Sequence, residues 1–522
     1  MKNVSSVIIN LEGWRLKDAT GQSGPMPSFL LDPDSIVIIC SNSSAAALAN
    51  YGRVLAVASF PSLDNDGEQL AIVASSGKVI HALHYSSGWY DNPVKKEGGW
   101  SLEMIDTKFP CIGKQNWMAS IQNIGGTPGK NNSVSGTIFD NSSPSISYAY
   151  VFSEDEMIIR FDEPLDAPVA TNLQNFSIDH DRTIISVEII EPLNDAIKLK
   201  INQPFHQGII YQVSISNVAD CAGNLILPAS ITRIGKPGQT NSKELVINEI
   251  LFDPRPNAFD YIEILNVGDS IIEASKISLA NRSASGDINS IRLISQDPIY
   301  IYPGDYFVLT ADADNLAINY LVRHPRYILE ISSMPSYPDD EGIVVLLNEQ
   351  GNVIDEVHYF DDWHFSLITD PEGVSLERID PLGESNNPGN WHSAATTAGY
   401  GTPGYRNSQY LQVIQSHDVI TVDPPRFSPD NDGLNDIARV SYKVSNPGNV
   451  ANVTIYDAFG RVVRLLVRNN LLALEGYWTW DGLDDKGLAL PIGPYILYTE
   501  IFNQDGKRQK FKNAIILGRK LK

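Results

Sequence analysis

Carboxylate side chains in tight turns are the residues best suited to chemistry in this sequence. The stretch SPDNDGLND places Asp430, Asp432 and Asp436 in a short loop that also contains Gly433. Ca²⁺ is bound by hard oxygen ligands, and a glycine allows the sharp bend that such a loop needs. The sequence therefore predicts a Ca²⁺ site at these three aspartates. A plain solvated turn is the alternative, because the loop lacks the Glu that closes an EF-hand.

No other group of residues in the sequence predicts catalysis or a cofactor. The Gly-x-Ser-x-Gly elbow, the His-Glu-x-x-His motif and the phosphate-binding loop do not occur. His81 and His84 are three residues apart, which puts them on opposite faces of a strand and argues against a shared metal. Cys40 lies in the apolar stretch IVIICS and is expected to be a packed thiol. We therefore expect no catalytic residue and no enzyme activity.

The bulk composition limits the partners of the chain. Its 522 residues suffice for about three to five domains, and its net charge is −23 with a pI of about 4.7. Nucleic acid is excluded as a partner, because a phosphate backbone requires a basic face. No apolar run approaches the roughly 18–20 residues that span a membrane, so we expect no membrane insertion. Cys40, Cys111 and Cys221 are too few and too scattered for a disulfide framework or a zinc site.

Short β-branched runs separated by turns dominate the sequence. The strand-like runs include EQLAIVAS, DEMIIRF, AIKLKI and EGIVVLL, and the turns between such runs include SSGK, EQGN and DDKG. Turns that recur about every 8 to 12 positions are typical of sandwiches. The sequence therefore predicts an all-β protein, built as a string of four immunoglobulin-like β-sandwich domains.

Two long stretches of the chain repeat one another. Residues 59–85 match residues 333–359, an offset of 274 (333 minus 59). At the same offset SLEMID (101–106) matches SLERID (375–380). Further along, the second copy has one extra residue, and the GTPG motif at Gly126 then matches the GTPG motif at Gly401. A register shared over about sixty residues indicates two copies of one domain.

The second copy carries a series of motifs in a fixed order. INEI (247–250), DYIEILN (260–266) and YPGDYFVLT (302–310) are followed by GNVIDEVHY and the closing GTPG. In this order the motifs resemble the lamin-tail domain, an immunoglobulin-like sandwich found in many bacterial surface and secreted proteins. Within them, YIEILN alternates in the manner of a half-buried strand. The resemblance places one lamin-tail domain at residues 244–408 and another at residues 1–132.

The first copy begins late relative to the second. Asn3 aligns with Asn266, so the counterpart of residues 245–264, which is two strands, is missing. A sandwich without two strands has an unpaired edge and an open core. We therefore expect an N-terminally truncated domain, and an upstream segment that carries the export signal not present in this sequence. A genuinely shortened domain is the alternative.

Two further segments resemble bacterial surface modules. FDEPLD (161–166) and DCAGN (220–224), with the motifs between them, resemble the bacterial Ig-like domains of S-layer and adhesin proteins and place such a domain at residues 133–236. FSPDNDGLND, YDAFGRVV and WDGLDDKG, in residues 415–522, resemble the Ig-like domain of the flagellar hook-capping protein. They are also similar to C-terminal modules of Bacteroidetes surface proteins, some of which are sorting signals for type IX secretion. This resemblance supports a surface location better than it supports that export route.

These resemblances imply a non-catalytic, multi-domain protein of the bacterial exterior, either extracellular or on the outer cell surface. Adhesion, scaffolding or display is the expected role, with a protein or a surface glycan as the expected partner. The rival hypothesis is an accessory C-terminal part of a secreted hydrolase, nuclease- or phosphatase-like. Its catalytic domain would then lie upstream of residue 1.

Overall fold

The computed structural model describes residues 1–365, 368–410, 419–429, 435–503 and 506–518. Strands dominate it, and its open sheets pack as in a multi-domain β-sandwich protein, which confirms the all-β prediction. The chain divides into two compact units, Met1–Lys236 and Pro237–Lys522. Within the described ranges, no helix has both the length and the apolar character that crossing a membrane requires.

The first unit consists of short strands with a few single-turn helices between them. Its strands are β1 (Ile9–Asn10), β2 (Arg15–Lys17), β3 (Leu30–Leu31), β4 (Ile38–Ser41), β5 (Val54–Val57), β6 (Gly67–Val73), β7 (Val79–Ser86), β8 (Leu102–Met104), β9 (Trp117–Ala119), β10 (Ile146–Val151), β11 (Glu156–Phe161), β12 (Phe176–Ile178), β13 (Ile184–Ile189), β14 (Ala196–Ile201), β15 (Tyr211–Ile215) and β16 (Ser230–Ile234). Its α-helices are α1 (Ala45–Leu48), α2 (Pro93–Lys96) and α3 (Ala167–Ala170), and its 3-10 helices are Ser87–Tyr90, Lys114–Asn116 and Leu173–Asn175. A side-chain cap explains where α2 begins, because the Asn92 side chain accepts hydrogen bonds from the Val94 and Lys95 amides.

The second unit has longer strands. They are β17 (Leu245–Leu251), β18 (Tyr261–Asn266), β19 (Ile272–Glu273), β20 (Ser278–Arg282), β21 (Ile288–Leu293), β22 (Tyr300–Ile301), β23 (Tyr306–Thr310), β24 (Ile328–Glu330), β25 (Glu341–Leu347), β26 (Val353–Phe360), β27 (Leu376–Arg378), β28 (Trp391–Ser393), β29 (Val419–Asp423), β30 (Arg426–Phe427), β31 (Ala438–Lys443), β32 (Val450–Tyr456), β33 (Val462–Leu471), β34 (Glu475–Trp480), β35 (Gly493–Phe502) and β36 (Arg508–Leu517). Helix α4 is Ala313–Asn319, and the 3-10 helices are Ala274–Lys276, Pro325–Tyr327, Asp361–Trp363, Pro388–Asn390 and Thr396–Ala398.

Two sheets pack on each other in residues 244–408, called here the second copy. One sheet has the order β24-β23-β18-β17-β27-β28, and the other has the order β21-β20-β25-β26. Aliphatic side chains from both sheets, among them Ile262, Ile264, Leu279 and Val344, form one core. Burying each of them contributes about 1.5–3 kcal/mol.

The central strands β17 and β18 are buried along their whole length. The prediction that YIEILN is a half-buried strand is therefore wrong. One face of β18 packs on the sandwich core, and the other face is covered by buried side chains that include Tyr320 and Leu316 of the α4 region. An alternating polar residue in such a strand is buried too, and it needs hydrogen-bond partners inside the protein.

Residues 1–132, called here the first copy, have counterparts of most of these strands, but in the described residues none of β17, β18 or β21. The pairs β5-β4 and β8-β9 correspond to β24-β23 and β27-β28, and the sheet β2-β6-β7 corresponds to β20-β25-β26. The pairs β4-β5 and β23-β24 are both parallel, an uncommon feature that supports the correspondence. In the second copy β18 and β17 connect β23 to β27 within the sheet. In the described residues of the first copy no strand connects β4 to β8 in this way, so the larger sheet is split into two pairs.

Matching hydrogen bonds show that the two copies share one register. Asn116 Nδ2 donates to the Asp106 carbonyl at 2.8 Å, and Asn116 Oδ1 accepts from the Asp106 amide at 2.7 Å. Asn390 makes the same two bonds to Asp380, at 3.0 Å and 2.8 Å. The offset of 274 in the sequence is thus also the offset between equivalent contacts.

The other two segments also form paired sheets. Residues 133–236, the middle segment, contain the sheets β10-β11-β14-β13 and β12-β15-β16. The C-terminal segment contains the sheets β29-β31-β34 and β30-β36-β35-β32-β33, packed around a core that includes Trp480 and Phe427. The four domain boundaries stay a prediction.

One disulfide closes a long loop in the first unit. Cys111 of the first copy is bonded to Cys221 of the middle segment, with an S–S distance of 2.07 Å and a sequence separation of 110. Cys40 is free and buried, and its burial raises the pKa of the thiol. The three cysteines were expected to be too few and too scattered for a disulfide framework, and that expectation did not anticipate this single bond. The fold brings together two segments that are distant in sequence.

Candidate functional site

The predicted Ca²⁺ loop lies mostly outside the described residues. Asp430 and Asp432 fall within residues 430–434, which the structure does not describe, and Asp436 lies shortly before β31. The Ca²⁺ assignment therefore stays a prediction. The two histidines are placed on β7, where His84 is exposed and the His81 Nε2 lies 3.0 Å from the Pro110 carbonyl oxygen.

A cluster of three carboxylates lies in the middle segment. Asp140, Glu163 and Asp220 each place a carboxylate oxygen within 4.8 Å of the others. Glu163 follows β11, and Asp220 lies in the loop after β15, next to the disulfide-bonded Cys221. The Asp220 carboxylate is fully buried and accepts hydrogen bonds from the Ala222 and Asn224 amides, which fixes its orientation.

Burial and electrostatic repulsion act together in this cluster. Burial is the larger cause, and with the negative charges of Asp220, Asp140 and Asp162 it raises the pKa of Glu163 to about 8. Glu163 is therefore largely protonated at neutral pH. Oxygen donors at this spacing suit a hard divalent cation such as Ca²⁺. The cluster can thus hold either a proton or a cation.

The second copy contains three fully buried glutamates on neighbouring strands. Glu249 of β17 lies opposite Glu263 of β18 and opposite Glu377 of β27, and all three are 0% exposed. Burial is the main cause that raises the pKa of each carboxyl, and for Glu377 the value is about 8. The repulsion from Glu249 adds to the shift of the other two. Glu377 is therefore largely protonated at neutral pH, and burial favours the protonated form of Glu249 and Glu263 as well.

A ring of donors compensates for the burial of these glutamates. Glu249 accepts hydrogen bonds from the Ser375 hydroxyl and from both the amide and the hydroxyl of Thr402. The Thr402 hydroxyl oxygen also lies 2.9 Å from a carboxyl oxygen of Glu377, and Glu377 accepts from the Ser408 hydroxyl at 2.7 Å. The closing GTPG motif, to which Thr402 belongs, is thereby fastened onto the outer face of the six-stranded sheet. This arrangement is structural, because no described member of the group is open to solvent.

A buried ion pair holds the backbone of β17 at Ile247, two residues before Glu249. Arg378 and Asp355 pair at 3.1 Å, with side chains only 2% and 3% exposed. Asp355 accepts the Ile247 amide at 2.9 Å, and Arg378 donates to the Ile247 carbonyl at 3.0 Å. The Ser385 hydroxyl donates to the other carboxylate oxygen of Asp355. The pair is thus fully hydrogen-bonded, as a buried pair must be to offset its desolvation.

The first copy has an open groove where the second copy holds β17 and β18. Its cavity has a volume of about 660 Å³. Its lining includes Leu16, Leu31, Ile72, Leu102, Met104 and Trp117. Several of these match core residues of the second copy by register, for instance Leu102 with Leu376 and Trp117 with Trp391. The groove is therefore the exposed half of a sandwich core.

One glutamate of the buried group remains in the first copy. Glu103 matches Glu377, and its carboxylate accepts the Thr127 hydroxyl at 2.5 Å and the Ser133 hydroxyl at 2.6 Å. Burial acts to raise the pKa of Glu103, but the hydrogen bonds from Ser133 and Thr127 outweigh it, so the pKa is lowered. Glu103 is accordingly ionised, whereas its counterpart in the second copy is largely protonated.

Comparisons with known proteins give low similarity throughout. No family model matches the chain, and no curated protein matches it. The N-terminal part of the bacterial S-layer protein SbsC is similar at 16% identity and a TM-score of 0.18, over 32% of this chain and 40% of that one. A DUF4876 family protein from Bacteroides thetaiotaomicron is similar at 13% identity and a TM-score of 0.18, over 40% of this chain and 84% of that one.

A tetra-tandem repeat from the extending region of a large adhesion protein is similar at 11% identity and a TM-score of 0.13, over 99% of this chain and 94% of that one. The chain spans 54% of a longer SbsC structure that it also matches. With identities and TM-scores this low, the likenesses carry no argument about function.

The motifs identified in the sequence contain the carboxylates of both acidic groups, but the sequence did not predict that these carboxylates lie together. FDEPLD and DCAGN contain Glu163 and Asp220, and INEI, YIEI and SLERID contain the three buried glutamates. An isolated Glu in an otherwise apolar strand, repeated in three motifs, was the available signal. It could not show that the three strands are neighbours.

Proposed function

We propose that this chain is a non-catalytic adhesion, scaffolding or display protein of the bacterial exterior. The observation that carries the proposal is the disulfide between Cys111 and Cys221. Disulfides form and persist in oxidising compartments, whereas cytosolic thiols are kept reduced. A stable bond between two separate sandwich segments therefore fits an extracellular or outer-surface protein.

The modular construction supports the same role. The second copy and the C-terminal segment each bury a large apolar core of their own. The carboxylates form a fully buried group and a cluster of three acidic side chains, and in the described residues neither places a nucleophile beside a base. A protein or a surface glycan is the partner that we propose.

We further propose that the first and second copies are lamin-tail domains. The motifs that carry this resemblance place Glu249, Glu263 and Glu377 side by side in the second copy, where they fasten the GTPG motif. The middle segment is proposed as a bacterial Ig-like domain, and the C-terminal segment as a module of the Bacteroidetes surface type. Export by type IX secretion belongs to this proposal.

Surface labelling of the native bacterium tests the proposal. Intact cells are treated with a membrane-impermeant biotin reagent after free thiols have been alkylated, and the protein is then analysed by non-reducing mass spectrometry. We expect biotinylated protein in which Cys111 and Cys221 are linked and Cys40 is the free thiol. Protein that is recovered only from the cytoplasm, with all three thiols reduced, would contradict the proposal.

Activity assays of the purified chain test the non-catalytic part. We expect no turnover of phosphodiester, peptide or glycoside substrates, because no nucleophile and base are placed together in the described residues. Robust turnover that Glu163→Gln or Asp220→Asn abolishes would show that the carboxylate cluster is an active site.

A further inference from the structure

A polar cleft lies where the second copy meets the C-terminal segment. It has a volume of about 810 Å³, which is within the range of roughly 300–1,000 Å³ that is usual for ligand sites. The wall from the second copy includes Arg323, Thr397 and Tyr405, and the opposite wall includes Lys443 and Tyr477. This space, called here the junction cleft, has room for a short oligosaccharide or peptide.

Contacts between the two segments fix the shape of the junction cleft. The Leu474 amide donates to the Ser408 carbonyl at 3.0 Å, and the hydroxyl oxygens of Thr397 and Tyr442 lie 2.9 Å apart. Phe365 of the second copy is buried in an apolar cluster with side chains of β32 and β33. The walls are therefore held in place before a ligand arrives, which lowers the entropic cost of binding.

Positive charge is concentrated in the junction cleft. Its charged lining residues are Arg323, Arg406, Lys443 and Glu475, which give a net charge of +2 (three cations minus one anion), whereas the whole chain carries −23. Arg406 is paired with Glu475 at 3.1 Å. Neither Arg323 nor Lys443 forms an ion pair with any residue that the structure describes. These two cations are therefore available to an anionic ligand.

The guanidinium group of Arg323 is held on a tyrosine ring. Its central carbon lies 4.1 Å from the centroid of the Tyr405 ring. Stacking of this kind orients the guanidinium plane and leaves its N–H edge free. An arginine edge matches the two oxygens of a carboxylate through parallel hydrogen bonds. The cleft therefore presents an oriented carboxylate-binding group at one wall and a lysine at the other.

An open aromatic face completes the junction cleft. Tyr477 is 52% exposed, and Arg439 covers one face of its ring at 3.9 Å from the centroid. The other face is left for a ligand. The C–H face of a sugar ring packs on an aromatic ring, and its hydroxyls both donate and accept hydrogen bonds. An acidic peptide would use the cations alone, so the aromatic face favours a sugar.

We propose that the junction cleft binds a glycan that carries carboxylate groups, of the uronic acid class. The proposal rests on the proposed role at the bacterial exterior and names the ligand class of that role. Carboxylates of the glycan pair with Arg323 and Lys443, and one of its rings packs on the open face of Tyr477. The two paired side chains, Arg406 and Glu475, bound the cleft between these contacts.

Isothermal titration calorimetry of the full 522-residue chain tests the site. The acidic probes are trigalacturonic acid and a hyaluronan tetrasaccharide, and the neutral comparison is the methyl ester of trigalacturonic acid. We expect the ester to bind about tenfold more weakly than the acid, because it keeps the rings and loses the charges. If neither acidic probe binds at millimolar concentration, or if acid and ester bind equally, the proposal is overturned.

Two variants separate the cleft from other cations of the chain. Arg323→Ala and Lys443→Ala should each weaken binding of trigalacturonic acid about tenfold and change binding of the ester by less than about twofold. The matched control is Lys512→Ala, because Lys512 of β36 is exposed and lies outside the cleft lining. An equal loss with Lys512→Ala would show non-specific attraction and would overturn the proposal.

The tyrosine and a peptide probe test the sugar class. Tyr477→Ala should weaken the acid and the ester alike, by about fivefold, because ring packing does not depend on charge. A triglutamate peptide should bind more weakly than trigalacturonic acid and should not respond to Tyr477→Ala. If triglutamate binds as well as the sugar acid and loses affinity in Arg323→Ala, the cleft is a site for acidic peptides and the proposal is wrong.

Surface labelling of intact cells separates this proposal from the proposed function. Protein that is labelled on the cell surface but binds neither acidic probe overturns the glycan site and leaves the surface role standing. Protein recovered only from the cytoplasm overturns the surface role, and with it a surface glycan as the ligand.

Discussion

The two copies share a register, yet one position has opposite electrostatics in them. Glu377 lies beneath two covering strands next to Glu249, and its pKa is raised to about 8. Glu103 has lost those neighbours, and its pKa is lowered by the hydroxyl donors that both copies keep. The comparison shows that the covering strands, and not the local motif, determine the charge of this carboxyl.

The copies also differ in how the loop before the last strand is fastened. In the second copy Ser385 joins the buried pair of Arg378 and Asp355. In the first copy the matching residue is Cys111, which is bonded to Cys221 of the middle segment. The buried hydrogen-bonded group of the second copy therefore corresponds in position to the disulfide that links the first copy to the middle segment.

Removal of the covalent link should produce the largest effect. Cys111→Ser, which installs the residue of the second copy, combined with Cys221→Ser should lower the free energy of unfolding of the first unit by about 5 kcal/mol. The cause is the entropy of a loop of 110 residues in the unfolded state. Urea unfolding monitored by hydrogen exchange in β11 and β14 measures it. Dithiothreitol should destabilise the wild type but not the double variant, and the reverse pattern would show that the link is not structural.

Removal of the buried ion pair of Arg378 and Asp355 should have the second-largest effect on stability. Arg378→Ala leaves Asp355 buried without its cation and should cost about 3–5 kcal/mol in the second unit. The matched change Met104→Ala, at the rim of the open groove, should cost less than half as much. Hydrogen exchange of the β17 and β8 amides across a denaturant series measures the loss of unfolding free energy for each variant. Equal losses of unfolding free energy would indicate that Arg378 and Met104 are equally buried.

A matched pair of leucines tests the open core directly. Leu376→Ala removes a side chain that is 0% exposed and should cost about 3 kcal/mol. Leu102→Ala removes its counterpart beside a cavity of about 660 Å³ and should cost about 1 kcal/mol, because fewer contacts are lost there. Urea unfolding of both variants beside the wild-type chain measures the two losses of stability, and equal losses would contradict the difference in burial.

The two copies should also differ in the pH dependence of their stability. Because the pKa of Glu377 is raised in the folded state, its stabilising contribution is present below its ordinary value and is lost as pH rises toward about 8. The free energy of unfolding of the second copy should fall by about 1.4 kcal/mol per pH unit in that window, and Glu377→Gln should flatten the slope.

Glu103 should behave in the opposite way. Its pKa is lowered, so its contribution is present above its ordinary value and is lost on acidification. Glu103→Gln should therefore remove sensitivity at acid pH only. Hydrogen exchange of β8 and β27 between pH 3 and pH 9 compares the two, and parallel profiles would refute the difference in charge.

The sequence contained much of the fold and less of the site. Alternating runs and turn spacing predicted the all-β class, and the offset of 274 predicted two copies of one domain, in which Asn116 and Asn390 make equivalent hydrogen bonds. The burial of Glu263 could not be predicted from alternation, because alternation reports one covered face and cannot report a second cover contributed by a distant loop. The Cys111–Cys221 bond and the cluster around Glu163 join segments that no local pattern connects.

The disulfide has a mechanical consequence. A force that stretches the chain from its ends passes through the bond between Cys111 and Cys221 and bypasses the 110-residue span between them. At about 3.4 Å per extended residue, some 370 Å of contour length is thereby withheld from extension. The strands β10, β11, β13 and β14 lie entirely within that span and cannot be pulled out in series until the bond is broken. Under a pulling force, the part of the middle segment before Cys221 therefore keeps a fixed length, whereas β16 lies beyond the bond.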